Sequence, residues 1–159
     1  MRAKALAARR ALFGLFLAAA LLPAARAADR GVQNCVVSVT PLKFGNFDPS
    51  SPAGSMMTGD VVFNCTESQP ITIFMDRGSD EANGARRMRG RGALGYNIYL
   101  DAAGTRIWGD GTAGTQFYSN PAPPSRTNVV IPFFGRIPGG QRVTAAGQFA
   151  DSVVVRINY

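Results

Sequence analysis

Cys35 and Cys65 are the residues of this chain best placed by type to form a covalent bond, and the chain has no histidine. Without imidazole there is no Ser–His–Asp or Cys–His arrangement and no commonest general base. Two cysteines alone do not fill a tetrahedral zinc shell; carboxylates would have to complete it. The acids sit mostly in turn contexts: Asp48 before Pro49, Asp101 before Ala102-Ala103-Gly104, Asp110 between Gly109 and Gly111. An aspartate so placed caps its own turn through a side-chain to backbone hydrogen bond. Nothing in their spacing supports a converging pair of the kind glycoside hydrolysis needs. Gly109-Asp110-Gly111 and Gly90-Arg91-Gly92 open no helix and lack a Walker lysine, so neither is a phosphate loop. Asn64-Cys65-Thr66 matches a glycosylation sequon, to which no role is assigned. The expectation is a non-enzyme with no catalytic residue, no metal and no cofactor.

The cysteines take their meaning from the start of the chain. Arg2, Lys4, Arg9 and Arg10 precede an apolar run from Ala11 to Leu22; Pro23 and then Ala25-Arg26-Ala27 follow. A basic head, an apolar centre and a small-x-small exit define a cleavable secretory signal peptide, expected to end at Ala27. The run is too short for a membrane anchor, which needs about 20 apolar residues. The expected division is therefore a signal peptide over 1–27 and one domain over 28–159. Cleavage removes five of the 17 basic residues (Arg2, Lys4, Arg9, Arg10, Arg26) and none of the 10 acids, so the net charge falls from +7 to +2. That balance gives no reason to expect a nucleic-acid partner. It also leaves no segment that would insert stably in a membrane. Export places the even cysteine pair in an oxidising compartment, where a bridge is favoured over two buried thiols. Such a bridge would stabilise the fold by about 3–4 kcal/mol.

The elements that must carry these residues read as β throughout. Strand-like runs cover 35–44 (broken at Pro41), 60–65, 70–75, 94–100, 105–108, 128–134 and 149–159. Asp101-Ala102-Ala103-Gly104 predicts a hairpin turn between the fourth and fifth. Seven short strands separated by Gly, Pro, Asn and Asp argue for a sandwich or barrel. In the last run Val153, Val155, Ile157 and Tyr159 share one face, against Ser152, Arg156 and Asn158 on the other, which is the pattern of a half-buried strand. Two loops stand out. Arg86-Arg87-Met88-Arg89-Gly90-Arg91-Gly92 is read as a solvated basic turn with Asp76, Asp80 and Glu81 as partners, and Pro121-Ala122-Pro123-Pro124 as a rigid surface connection. Met56-Met57 and Ile107-Trp108 are expected to pack in the fold or in assembly contacts.

An ordered set of motifs carries a resemblance. Cys35-Val36-Val37-Ser38-Val39-Thr40-Pro41-Leu42-Lys43-Phe44-Gly45-Asn46-Phe47-Asp48-Pro49 is similar to the opening of the spore coat protein U domain. In order, there follow Cys65-Thr66, Met75-Asp76-Arg77-Gly78, Arg87-Met88, Leu94-Gly95-Tyr96-Asn97-Ile98-Tyr99-Leu100-Asp101, Trp108-Gly109-Asp110-Gly111, Phe134-Gly135-Arg136-Ile137-Pro138 and Phe149-Ala150-Asp151-Ser152-Val153. That domain also occurs in subunits of archaic, Csu-type chaperone–usher pili. The resemblance implies an immunoglobulin-like, pilin-type β-sandwich that lacks its final strand, is completed in trans by a donor strand, and carries a Cys35–Cys65 disulfide. Its implied partners are a periplasmic chaperone, an outer-membrane usher and neighbouring pilus subunits. The implied location is the periplasm in transit, then the cell surface or the extracellular space. Val153, Val155, Ile157 and Tyr159 would border the groove, with the Tyr159 carboxylate a candidate chaperone contact.

One departure is informative. Between Ala27 and Cys35 only Val32 is large and apolar, and seven residues span at most about 25 Å. A subunit that accepts a strand without donating one belongs at a fibre tip. The expected function is thus an adhesive pilus subunit, minor or at the tip, acting in surface attachment and biofilm formation. The alternative is a secreted spore-coat or extracellular matrix protein of the same fold.

Overall fold

Alternation dictates the strands. In Val61-Val62-Phe63-Asn64-Cys65 every second side chain is buried, and in Ile71-Thr72-Ile73-Phe74-Met75 the same period holds. The computed structural model describes residues 34–48, 51–143 and 146–159. Nine strands lie among these residues: β1 (Cys35–Val39), β2 (Ser55–Cys65), β3 (Ile71–Met75), β4 (Glu81–Ala82), β5 (Ala85–Arg89), β6 (Ala93–Tyr99), β7 (Tyr118–Asn120), β8 (Val129–Ile137) and β9 (Val155–Asn158). No helix occurs among the described residues. Six strands form one antiparallel sheet in the order β1-β2-β8-β6-β5-β4, and three form another in the order β7-β3-β9. The signal peptide expected over 1–27 lies outside the described residues.

The core lies between the sheets. Val61, Phe63, Ile131 and Phe133 from β2 and β8 face Ile71, Ile73 and Met75 from β3, and Trp108 is fully buried among them. The Trp108 indole Nε1 donates to the Ile73 carbonyl at 3.0 Å, and its ring meets Phe133 edge-on at 6.1 Å. Burying an indole requires such a partner for its N–H. Cys35 and Cys65 face each other across β1 and β2 and form a disulfide.

Several expectations are sharpened here. The 35–44 run ends as a strand at Val39, one backbone bond further on (Thr40 N to Asp60 O, 2.9 Å), because Pro41 has no N–H with which to continue the ladder. The 94–108 hairpin is reduced to a single Tyr99–Ile107 bridge closed by the Asp101 carboxylate, which accepts from Thr105 N, Thr105 Oγ1 and Arg106 N. Asp110 likewise caps its turn through Thr112 N at 2.9 Å. These bonds hold both carboxylates below the usual aspartate range.

The basic run is not a solvated turn: 85–89 is strand β5, and Arg86 is buried. The Arg86 guanidinium donates to the Asp76 carbonyl from Nε (3.0 Å) and Nη2 (2.6 Å), and to the Trp108 carbonyl at 2.7 Å. Burial lowers its pKa, and these carbonyl dipoles are what it receives in place of water. Arg87 and Arg89 pair with Asp80 at 2.8 and 2.9 Å, and the Arg87 bond holds the Asp80 carboxyl below its usual range. Glu81 pairs instead with Arg77 at 2.7 Å. Trp108 packs as expected, whereas Met56 and Met57 remain exposed on β2.

Candidate functional site

Beyond Thr40 the chain leaves its sheet, and residues 41–47 run alongside the core without strand pairing before β2 begins at Ser55. Opposite, β9 is paired with β3 alone, and no strand among the described residues lies on its other edge. Between these two banks lies a groove of about 1350 Å³. Leu42, Phe44 and Phe47 line one bank, and Phe149, Val153 and Val155 the other. The floor is apolar: Met75 from β3, Met88 from β5, Leu94, Tyr96 and Ile98 from β6, Phe133 and Ile137 from β8. This volume exceeds that of an ordinary small-molecule pocket, about 300–1,000 Å³. One bank is a segment without strand pairing and the other leads into the start of β9, an elongated arrangement that suits an extended polypeptide better than a compact ligand.

Each bank is held by named contacts. Gly135 of β8 lets the 41–47 segment cross close over the sheet: a Cβ there would collide with Leu42 Cδ1 and come within 2.9 Å of Phe44 Cζ. Gly135→Ala is therefore expected to displace this bank and cost about 1–3 kcal/mol in denaturant unfolding. An unchanged midpoint would mean that the segment is not seated there.

The second bank is anchored at the foot of β9. Asp76 N donates to the Val154 carbonyl (3.1 Å), and Asp76 Oδ1 accepts from Val154 N and Gly78 N, each at 3.0 Å. Gly78 has φ +76°, and a side chain there would strike the Asp151 carboxylate. Asp151 Oδ1 accepts from Ser79 N and Ser152 N at 2.8 Å, and its Oδ2 accepts from the Tyr96 hydroxyl at 2.7 Å. Burial, and then the Asp151 bond, push the Tyr96 phenol well above its usual range, so it stays a donor. Arg89 and Ala150 exchange two backbone bonds, at 2.8 and 3.0 Å, just before this point.

The residues singled out from the sequence fall in two groups. Val153 and Val155 line the groove together. Ile157, opposite Ile73, packs on the core beyond the groove lining, and Tyr159 follows the strand with 52% of its surface exposed. Sequence reasoning missed the opposite bank and the floor. A signal was present: Leu42 and Phe44 keep strand alternation after a proline that forbids the ladder. Among the described residues no cluster of three metal-ligating side chains occurs.

A family model described as the Spore Coat Protein U domain matches residues 23–156. No curated protein matches. Among solved structures, a chain of the CsuC–CsuE chaperone–tip adhesion subunit pre-assembly complex, from archaic chaperone–usher Csu pili of Acinetobacter baumannii, is similar with a TM-score of 0.58 and 20% identity. The alignment covers 80% of this chain and 40% of that one, so the present chain spans well under half the length of its structural neighbour. The likeness supports an all-β, pilin-like sandwich, to which this chain's own Cys35–Cys65 disulfide belongs.

Proposed function

The chain belongs to the Spore Coat Protein U domain family, and from that premise we propose that it is a structural subunit of an adhesive chaperone–usher pilus. The observation that carries this reading is the groove between the 41–47 segment and β9, with an apolar floor and, among the described residues, no strand on the outer edge of β9. A sheet edge beside exposed apolar surface is an aggregation hazard unless something covers it. Strand addition covers both at once: the new backbone pairs with β9 and alternate side chains enter the groove. The occupant during export would be a chaperone strand, and in the fibre a strand from a neighbouring subunit, with an outer-membrane usher handling the exchange. Residues 1–27 would direct export and be removed after Ala27. The stretch before Cys35 holds a single large apolar residue, Val32, which fits a minor or tip subunit that receives a strand and donates none. Surface attachment and biofilm formation are the roles such a subunit would serve.

The test uses the exported chain purified from the periplasm and a labelled peptide of about ten residues alternating valine and threonine, with lysines at its ends. Saturable uptake of this peptide, lost when its valines become serine, is the expected result. A chain that is a stable monomer and takes up neither peptide would defeat the pilus reading and favour a coat or matrix protein. N-terminal sequencing that places cleavage near Ala20 would defeat the accept-only placement.

A further inference from the structure

Resting on the strand-accepting reading above, we infer that Tyr96 is the positioning residue that holds the two banks of the groove at a strand's spacing before a strand arrives. Tyr96 lies on the floor, in β6, with its backbone fixed opposite Arg86 of β5. It touches both banks. Its ring meets Phe44 edge-on, with centroids 6.3 Å apart and planes at 70°. Its hydroxyl donates to Asp151 Oδ2, and the other oxygen of that carboxylate binds the backbone at Ser79 and Ser152. One side chain thus joins the unladdered 41–47 segment to the foot of β9. Phe44 has no ladder of its own to hold it, so its position depends on side-chain contacts such as this one.

A residue that only packed against the bound strand would act on dissociation. A residue that keeps the empty groove open acts on the fraction of molecules competent to bind, and so on the association rate. Tyr96→Phe keeps the ring and removes the hydroxyl. It is expected to slow association of the valine–threonine peptide by about threefold to tenfold, with the dissociation rate unchanged, because the inserted strand then braces the banks itself. Phe44→Leu, in a segment outside both sheets, is the second variant and is expected to slow association in the same sense. If wild type takes up the peptide and both variants associate as fast as it does, Tyr96 has no such role. A loss confined to dissociation overturns the inference equally. If wild type takes up no peptide at all, the strand-accepting reading falls and takes this inference with it.

Discussion

A self-complemented chain, in which a short Asn-Gly turn and an alternating strand of about ten residues follow Tyr159, is expected to melt about 15–20 °C above the unmodified chain. The turn lets the new strand run back antiparallel beside β9, on the edge that carries no other strand among the described residues. Four or five inward apolar side chains contribute roughly 10 kcal/mol on burial, and the groove surface they cover contributes about as much again. Ordering about ten residues costs roughly 15 kcal/mol. The balance of about 5 kcal/mol corresponds to the stated shift for a domain of this size. A control strand carrying serine at its inward positions is expected to give no gain. Equal melting temperatures for the two fusions, measured by circular dichroism, would mean that the groove is not a strand site.

Period-two alternation was enough to locate β2, β3, β8 and β9, because Val61, Phe63, Ile73 and Phe133 declare a core face, but not to bound them: β2 begins at Ser55, β8 runs on to Ile137, and only Val155–Asn158 of the 149–159 run is strand. Motif order was enough for the family. The groove itself was half legible. Val153 and Val155 alternate within a strand, whereas Leu42 and Phe44 follow Pro41, and local pattern alone does not separate a strand's continuation from a segment that leaves the sheet. The floor was hidden for a different reason: Met88 is flanked by Arg87 and Arg89 and reads as part of a basic loop. Only its place in the β5–β6 hairpin, where Met88 lies opposite Leu94, turns it inward, and only the carbonyls of Asp76 and Trp108, outside that hairpin, make a buried Arg86 tolerable. Tyr96 sits within a motif, but its partners Phe44 and Asp151 lie 52 residues before and 55 residues after it.

Replacing both cysteines by serine is expected to lower the unfolding free energy by about 3–4 kcal/mol, the chain-entropy value for a loop of this length. The cost is expected to fall first on the groove. The bridge joins Cys35 to Cys65 at the point where β1, the outermost strand of its sheet, begins. Among the described strands β2 alone pairs with β1, Val36 is 71% exposed, and the chain leaves the sheet beyond Thr40 to become the Leu42–Phe47 bank. With the bridge gone, β1 is an edge strand of five residues held by one neighbour, and fraying there carries the bank away while β2, β8 and β6 remain paired. Native-state hydrogen exchange on the Cys35→Ser, Cys65→Ser double variant is therefore expected to show lost protection over 35–40 well before 57–64. Peptide uptake by the groove should fall in parallel. Uniform loss of protection across both sheets would instead make the bridge a global staple with no special hold on the site.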